Sequence, residues 1–438
     1  MPTTSASPSS EIKALTGLRG IAALYVVVFH ANGLAAFPSL VRPFVSHGYI
    51  AVDLFFILSG FVMAMTYGGL FENGFSLKNF KSFLLLRLAR IYPLYILMTL
   101  ITAVLITTVL SDTYHFDDNV LRALPFNIAM IHALGTAYSI VPPSWSISTE
   151  WAAYLLFPFS ILVALWLPRR YALIGVAVSF AALVAVAFGP YWMIHTRHWP
   201  GQLNVVHSYA PGTTLRCLAS FYIGLVAYRF KDLMPSRASL PLLAGAIVML
   251  CFRDTDLWLV AVFAALIMAL SHDEGSVARM LQSRVAYWLG VVSFALYLVH
   301  DIVQKIIFKS FPVWGIGLQV PKMAWVFISI AVSIAIAACA HYYYEKPSRR
   351  WARGLIATME NLAAAVQPRH VGPHHRPGPP DHAGGVTSPL LPISLMMESP
   401  SSLSRSDGRW RRAQRDDGGV SAVARNPSVA DKQRHLPI

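Results

Sequence analysis

The chain of 438 residues is 55% hydrophobic and only 13% charged, with a mean hydropathy of +0.53, whereas ordinary soluble domains carry about 25% charged residues. This composition excludes a disordered, collagen-like or nucleic-acid-wrapping protein and argues against a water-soluble enzyme. The net charge of +14 does not signal nucleic acid, because the basic residues stand between long apolar runs and not along one helix face.

A helix needs roughly 20 mostly apolar residues to cross a bilayer, and shorter runs serve if tilted or buried in protein. In chain order the candidate spans are 15–36, 49–67, 91–110, 145–167, 171–189, 212–230, 239–252, 257–271, 285–308 and 321–342. The expected fold is therefore all-α, a polytopic membrane helical bundle of about ten transmembrane helices. The short pair 239–252 and 257–271 is split by Arg253-Asp254-Thr255-Asp256 and suits a helical hairpin or, as a second option, one broken helix. The stretch 119–135, interrupted by Pro125, reads as an interfacial or re-entrant piece. Residues 1–11 read as a flexible N-terminus without a basic n-region, and the first apolar run as a retained span, not a cleaved leader. The membrane domain is expected over 12–350, with a juxtamembrane helix over 351–366. Residues 367–438, rich in Pro, His, Arg, Gly and Ser, read as a disordered cytoplasmic tail. His370, His374, His375 and His382 within it read as solvated linker, not metal ligands, and no metal site is expected. Cys217, Cys251 and Cys339 lie in apolar stretches without metal-ligand spacing and read as buried thiols.

Positive charge sets the orientation. With the N-terminus in the cytoplasm, the inner connections hold Lys13, Arg19, Lys78, Lys81, Arg87, Arg90, Arg169, Arg170, Arg229, Lys231, Arg237, Arg279 and Arg284, followed by Lys346, Arg349, Arg350 and Arg353. The outer connections hold only Arg42, Arg122, Arg197, Arg253, Lys309 and Lys322. Both termini are thus expected in the cytoplasm, and the location expected is a bacterial cytoplasmic (inner) membrane.

Ionisable groups inside a bilayer cost several kcal/mol, so each is a site hypothesis. Arg19 and His30 are eleven residues apart on the first span, which is roughly three turns plus 20°, so they share a face about 16 Å apart along the axis. Spacing alone leaves open a snorkelling arginine and a histidine satisfied by a neighbouring helix. Asp53 enters the second span from outside at a depth near His30, where a carboxylate would orient the ring; a macrodipole-favoured N-terminal carboxylate is the alternative. Arg87 and Arg90 share a face, and paired guanidiniums suit phosphate or a lipid headgroup. Glu150 lies about two turns into the fourth span, and Arg216 and His300 fall in the outer half with it. Sorted by depth, Arg19, Arg87 and Arg90 gather at the cytoplasmic edge, while His30, Asp53, Glu150, Arg216 and His300 gather outside. That is one site with two ends: an anion-binding mouth and an acid/base centre, a span that suits an acyl-CoA with its thin pantetheine arm.

Taken in order, Arg19 and His30, the GYIAVDLFFILSGF run with Asp53, Arg87 and Arg90, the SWSISTEWAAYLLFP run with Glu150, the SFALYLVH run and the closing YYYEKP resemble the acyltransferase 3 family of multi-pass membrane acyltransferases. The likeness covers roughly residues 12–350. It implies acyl transfer, usually from acetyl-CoA or another acyl-CoA, to a hydroxyl of an extracytoplasmic or lipid-linked glycan. Such acceptors include lipopolysaccharide, exopolysaccharide, Nod factors and macrolides. It makes His30 the catalytic residue and Arg19, Arg87 and Arg90 the donor-binding set; from their depth Glu150 and Asp53 join His30 in the candidate catalytic set, Glu150 either as its partner or as the group that holds the acceptor hydroxyl. Trp145, Ser146, Arg216 and His300 are the candidate acceptor-binding groups. The expected partners are acyl-CoA, the glycan and membrane lipid, with no nucleic acid. Some family members carry an additional C-terminal SGNH hydrolase-like domain, and nothing folded is expected here after residue 366. Whether His30 is a base or a transient acyl carrier stays open. A proton-coupled transporter is the alternative reading, weakened by the lack of paired halves with matching broken helices. A non-catalytic scaffold would leave the outer polar cluster unexplained.

Overall fold

The computed structural model describes residues 11–33, 35, 37–109, 119–190, 201–204, 210–313 and 321–366, so the tail expected over 367–438 lies outside the described residues. In chain order the α-helices of ten residues or more among the described residues are α1 (Lys13–Ala31), α2 (Ala51–Tyr67), α3 (Leu77–Thr108), α4 (Asn119–Ile128), α5 (Trp145–Ile161), α6 (Arg169–Phe188), α7 (Pro211–Arg229), α8 (Ser239–Met249), α9 (Asp256–Leu270), α10 (Arg284–Val313), α11 (Lys322–Ala340) and α12 (Lys346–Val366). No strand occurs among the described residues. Helices alone satisfy their backbone groups internally, which the interior of a bilayer demands.

Seven helical stretches among the described residues are long and apolar enough to cross a membrane: Lys13–Ala31, Arg42–Phe71, Leu77–Thr108, Pro142–Trp166, Arg169–Phe188, Arg284–Phe308 and Lys322–Met359. The remaining three expected spans are also helical, as α7, α8 and α9. Helices α8 and α9 are short and pack on each other as a hairpin. Helix α7 carries Arg216 in its second turn, which lowers its apolar content. The third span begins earlier than its apolar run, at Leu77, because Ser76 caps the helix by accepting from the Asn79 N–H. Arg87 and Arg90 therefore stand well inside α3, not at its end. The stretch around Pro125 forms the short helix α4 and a π turn over His132–Thr136. It is pinned to α3 by the Tyr95 hydroxyl, which donates to the Asn127 carbonyl at 2.6 Å. Of the three thiols only Cys217 is buried. Cys251 and Cys339 are exposed, because both sit on outward helix faces or turns where an apolar residue needs no protein cover.

Two close crossings fix the bundle. Helix α1 lies along α10, and α2 along α7. At the first, a Cβ on Gly20 would overlap the backbone at Leu289 and Gly290, and one on Gly290 would overlap the Thr16 carbonyl. At the second, a Cβ on Gly60 would meet the Phe221 carbonyl, and one on Gly224 the Ile57 carbonyl. Glycine here lets backbones touch, the usual device where no hydrophobic force drives helices together in lipid. Gly224→Leu is expected to destabilise the protein by at least 1–3 kcal/mol, about the cost of overpacking, read as a lower melting temperature in detergent. Gly245→Leu, where a Cβ would meet nothing within 4 Å, is expected to be neutral. Helix α1 is also held at its start, where the Ala14 N–H donates to Asp273 Oδ1 at 2.8 Å, a carboxylate at a helix N-terminus.

Candidate active site

The α1–α10 crossing brings two histidines together. His30 Nδ1 lies 3.2 Å from His300 Nε2, with ring centroids 4.9 Å apart. His30 Nδ1 is also 3.0 Å from the Val26 carbonyl, and His300 Nδ1 is 3.1 Å from the Leu296 carbonyl. A carbonyl only accepts, so each Nδ1 in a neutral ring carries the proton. His300 Nε2 then presents a lone pair to His30 Nδ1–H, and His30 Nε2 is left as a lone pair with no partner among the described residues. His30 lines a cavity of ≈ 250 Å³ together with Phe29, Tyr49, Pro143, Trp145, Asn204, Arg216 and Tyr297. The carboxylate within electrostatic reach of His30 is Asp301, itself paired with Lys305 at 2.6 Å.

Asp53 is engaged elsewhere. Its carboxylate takes two bonds from Arg216 Nε, at 3.1 and 2.9 Å, another from Arg216 Nη2, and one from the Ser220 hydroxyl at 2.9 Å. Both members of the pair are fully buried. Arg216 spends its other N–H groups on the carbonyls of Leu203 (2.6 Å) and Tyr49 (3.3 Å), and its guanidinium lies 5.8 Å from the Trp145 ring. Arg216 thus lines the cavity with Asp53 behind it. Around it, buried Asp256 accepts from the Tyr49 hydroxyl and from the Leu203 N–H at 2.7 Å, with His47 Nε2 at 2.6 Å. This network joins residues 201–204 to Tyr49 on the cavity wall. The sequence hides it, because Asp256 reads there as part of a polar connector.

Ser146 and Tyr297 face each other at 2.8 Å, and the Tyr297 hydroxyl is 2.9 Å from the Pro143 carbonyl. One turn further along α5, Glu150 accepts from the Ser59 hydroxyl, and from the Tyr154 hydroxyl at 2.5 Å. Tyr154, a turn beyond, accepts from Arg87 Nη2 at 2.6 Å, with the guanidinium 4.7 Å from its ring. Ser146, Glu150 and Tyr154 recur every four residues and so share one face, spanning about 12 Å along the axis. Glu150 therefore belongs between the two ends of the site, tied toward Arg87, and is not grouped with His30. It remains half-buried, as do His30, Trp145, Arg19 and Arg90.

The arginine end collects more groups than the spacing of Arg19, Arg87 and Arg90 indicates. Arg19 donates to the Gly290 carbonyl at 2.8 Å. Buried Nε atoms of Arg19 and Arg87 have no hydrogen-bond partner among the described residues. Arg90 interacts electrostatically with Arg87, Arg349 and Glu345, and Arg19 with Arg90, Arg87 and Glu345. Glu345 is held by His341 Nδ1 at 2.8 Å. These partners sit in the π turn His341–Glu345, a backbone feature frequent at functional sites. The cavity beside His30 is not lined by Arg19, Arg87 or Arg90; Glu150 and Tyr154 of α5 stand between it and Arg87.

The acyltransferase domain family matches residues 12–342, about the whole helical region just described. The chain belongs to the acyltransferase 3 family. It is 26% identical over 368 residues to YrhL of Bacillus subtilis, named as a candidate peptidoglycan O-acetyltransferase, covering 77% of this chain and 55% of that protein. It is 24% identical over 376 residues to the peptidoglycan O-acetyltransferase OatA of Listeria monocytogenes, covering 77% of this chain and 56% of that one. A candidate O-acetyltransferase of Staphylococcus aureus is 24% identical over 377 residues, with 77% and 57% covered. The chain thus spans a little over half the length of these curated relatives. No solved structure matches it. For a member of this family, the seven membrane-crossing stretches fit a multi-pass membrane protein.

Proposed function

We propose that this protein is a membrane O-acyltransferase that moves an acyl group, acetyl by likeness to the named O-acetyltransferases, from an acyl-CoA to a hydroxyl of an extracytoplasmic or lipid-linked glycan. The peptidoglycan named for OatA and YrhL supports a cell-surface polysaccharide as acceptor. The observation that carries the reading is the His30–His300 pair: two backbone carbonyls fix both rings so that His30 Nε2 is an unoccupied base on the wall of a cavity.

An alcohol becomes a good nucleophile when a positioned base removes its proton as it attacks. His30 Nε2 takes that proton, the hydroxyl oxygen attacks the thioester carbonyl, and the C–S bond breaks. The imidazolium then returns a proton to the departing thiolate. His300 Nε2, which accepts from His30 Nδ1–H, stabilises the charged ring meanwhile. A cavity of ≈ 250 Å³ suits a short acyl group and one sugar hydroxyl. The Tyr297 and Ser146 hydroxyls and the Trp145 ring are the acceptor-facing groups. Arg216 lines the cavity with Asp53 behind it, and Glu150 and Tyr154 mark the route from the arginines. The arginines take the phosphates of the donor on the cytoplasmic side, in an inner membrane with both termini cytoplasmic and ten spans, with α7, α8 and α9 crossing alongside the seven.

The test uses purified protein in nanodiscs with acetyl-CoA and isolated cell-wall glycan, counting ester-linked acetyl groups by mass spectrometry. Arg87→Ala with Arg90→Ala is expected to raise the apparent KM for acetyl-CoA by about tenfold or more, since each charge-assisted bond to phosphate is strong. An unchanged KM would return these arginines to lipid anchoring.

A further inference from the structure

The helix that follows the last span turns its charged side inward. In α12, Trp351 is 70% exposed and Met359 64%; with Leu355 they recur every four residues and form one outward apolar stripe. Arg349 and Arg353 occupy the other side and are half-buried, and the helix packs along α3, which carries Arg90. Arg349 donates to Glu345 Oε1 at 3.2 Å and interacts electrostatically with Arg19 and Arg353. His341, Glu345, Arg349 and Arg353 thus continue one four-residue stripe from the π turn into α12. Around this point stand five guanidiniums, of Arg19, Arg87, Arg90, Arg349 and Arg353, against three carboxylates: Glu345 near Arg19, Arg90 and Arg349, Glu11 near Arg19, and Glu150 near Arg87. Two of those guanidiniums, of Arg19 and Arg87, keep a buried Nε with no acceptor among the described residues. Buried charge of one sign is costly unless a counter-charge completes the site.

We infer that Arg349 and Arg353 are donor-binding residues that complete a polyphosphate site with Arg19, Arg87 and Arg90, and that Glu345 is the carboxylate that holds Arg349 in place for the phosphoryl groups. The inference rests on the donor reading above. A polyanion is called for because five guanidiniums against three carboxylates leave an excess of two positive charges, more than a single negative charge matches, whereas the linked phosphates of a coenzyme A supply several. The forked guanidinium suits phosphate oxygens in pairs, and the outward stripe of Trp351, Leu355 and Met359 holds the helix at the lipid boundary, so the site is closed on that side by membrane.

The experiment measures coenzyme A binding by calorimetry on the full-length protein in nanodiscs of zwitterionic lipid. Three single changes are compared, Arg349→Gln, Arg353→Gln and Arg350→Gln, with Arg87→Ala as reference. Arg350 is exposed on the same helix and loses the same charge. Arg349→Gln and Arg353→Gln are each expected to weaken coenzyme A binding about tenfold, the loss of one charge-assisted contact, and Arg350→Gln less than twofold. Equal weakening by all three overturns the inference in favour of general attraction. So does full binding by Arg349→Gln and Arg353→Gln while Arg87→Ala fails, which leaves the donor reading standing. If the wild type does not bind coenzyme A, the donor reading itself fails. Native mass spectrometry with phosphatidylglycerol separates the lipid source: retention of that lipid lost in Arg349→Gln, with coenzyme A binding intact, makes the cluster a headgroup site and overturns the assignment. Each variant's melting temperature is recorded, and Arg349→Lys, which keeps the charge without the fork, is expected to fall between wild type and Arg349→Gln.

Discussion

His30→Ala is expected to lower acyl transfer by about 10²- to 10⁴-fold, the range that positioned general acid–base groups supply, in a protein that still folds. The fold survives because the ring contributes little to it. His30 is half-buried, its bond to the Val26 carbonyl is one that the helix already uses, and its other contact is the His300 ring. The rate does not survive, because no other imidazole and no carboxylate lines the cavity among the described residues. Tyr297 and Ser146 are tied to each other and to Pro143, and Arg216 is a donor paired with Asp53. His300 acts one step back, so His300→Gln, which retains an acceptor for His30 Nδ1–H, is expected to cost less than His300→Ala. Single-turnover rates with acetyl-CoA, measured beside size-exclusion profiles, check both. Equal rates for His30→Ala and wild type would remove the dyad from the chemistry, whatever the arginines bind.

What the sequence made legible follows from period and depth. The 3.6-residue period put Arg19 and His30 on one stripe, and both occupy the α1 face turned to α10. The apolar runs located every helix that the structure contains between 13 and 340 in membrane-length form. Depth alone, however, cannot choose partners. Asp53 and His30 enter at similar levels, yet the α2–α7 crossing through Gly60 and Gly224 delivers Asp53 to Arg216 and Ser220, while α10 delivers His300 to His30. Helix pairing is set by such backbone approaches, and a pair of glycines 164 residues apart carries no local signal of their meeting. Tyr154, Glu345 and Arg349 were within reach: Ser146–Glu150–Tyr154 and His341–Glu345–Arg349 repeat every fourth residue. Their neighbours in sequence are aromatic and basic, so the first reads as core and the second as headgroup contact. His47 and Asp256 were hidden for another reason, since a carboxylate in a polar connector reads as exposed until the connector folds inward.

The Asp53–Arg216 pair carries the second large effect, and it is one of stability. Asp53→Ala leaves a fully buried guanidinium without its counter-charge, and breaking a buried pair in this way costs about 3–5 kcal/mol, a large part of the roughly 5–15 kcal/mol that holds a typical protein folded. Loss should appear as low yield of monodisperse protein and a lower melting temperature in detergent. The loss is not confined to the pair, because Arg216 also holds the Leu203 and Tyr49 carbonyls, and through those residues the Asp256 network beside the cavity. Replacing both partners by apolar residues of similar volume, Asp53→Leu with Arg216→Met, removes the unpaired charge and is expected to recover most of the melting temperature. It does not recover turnover, since the Leu203 segment and the Trp145 ring lose their anchor. The contrast between the single and double changes separates two roles that a rate measurement alone confuses. If the carboxylate served His30 directly, Asp53→Asn would fold normally and lose its rate. If it serves Arg216, the fold weakens first, and the surviving folded fraction turns over at a rate limited by the shape of the cavity.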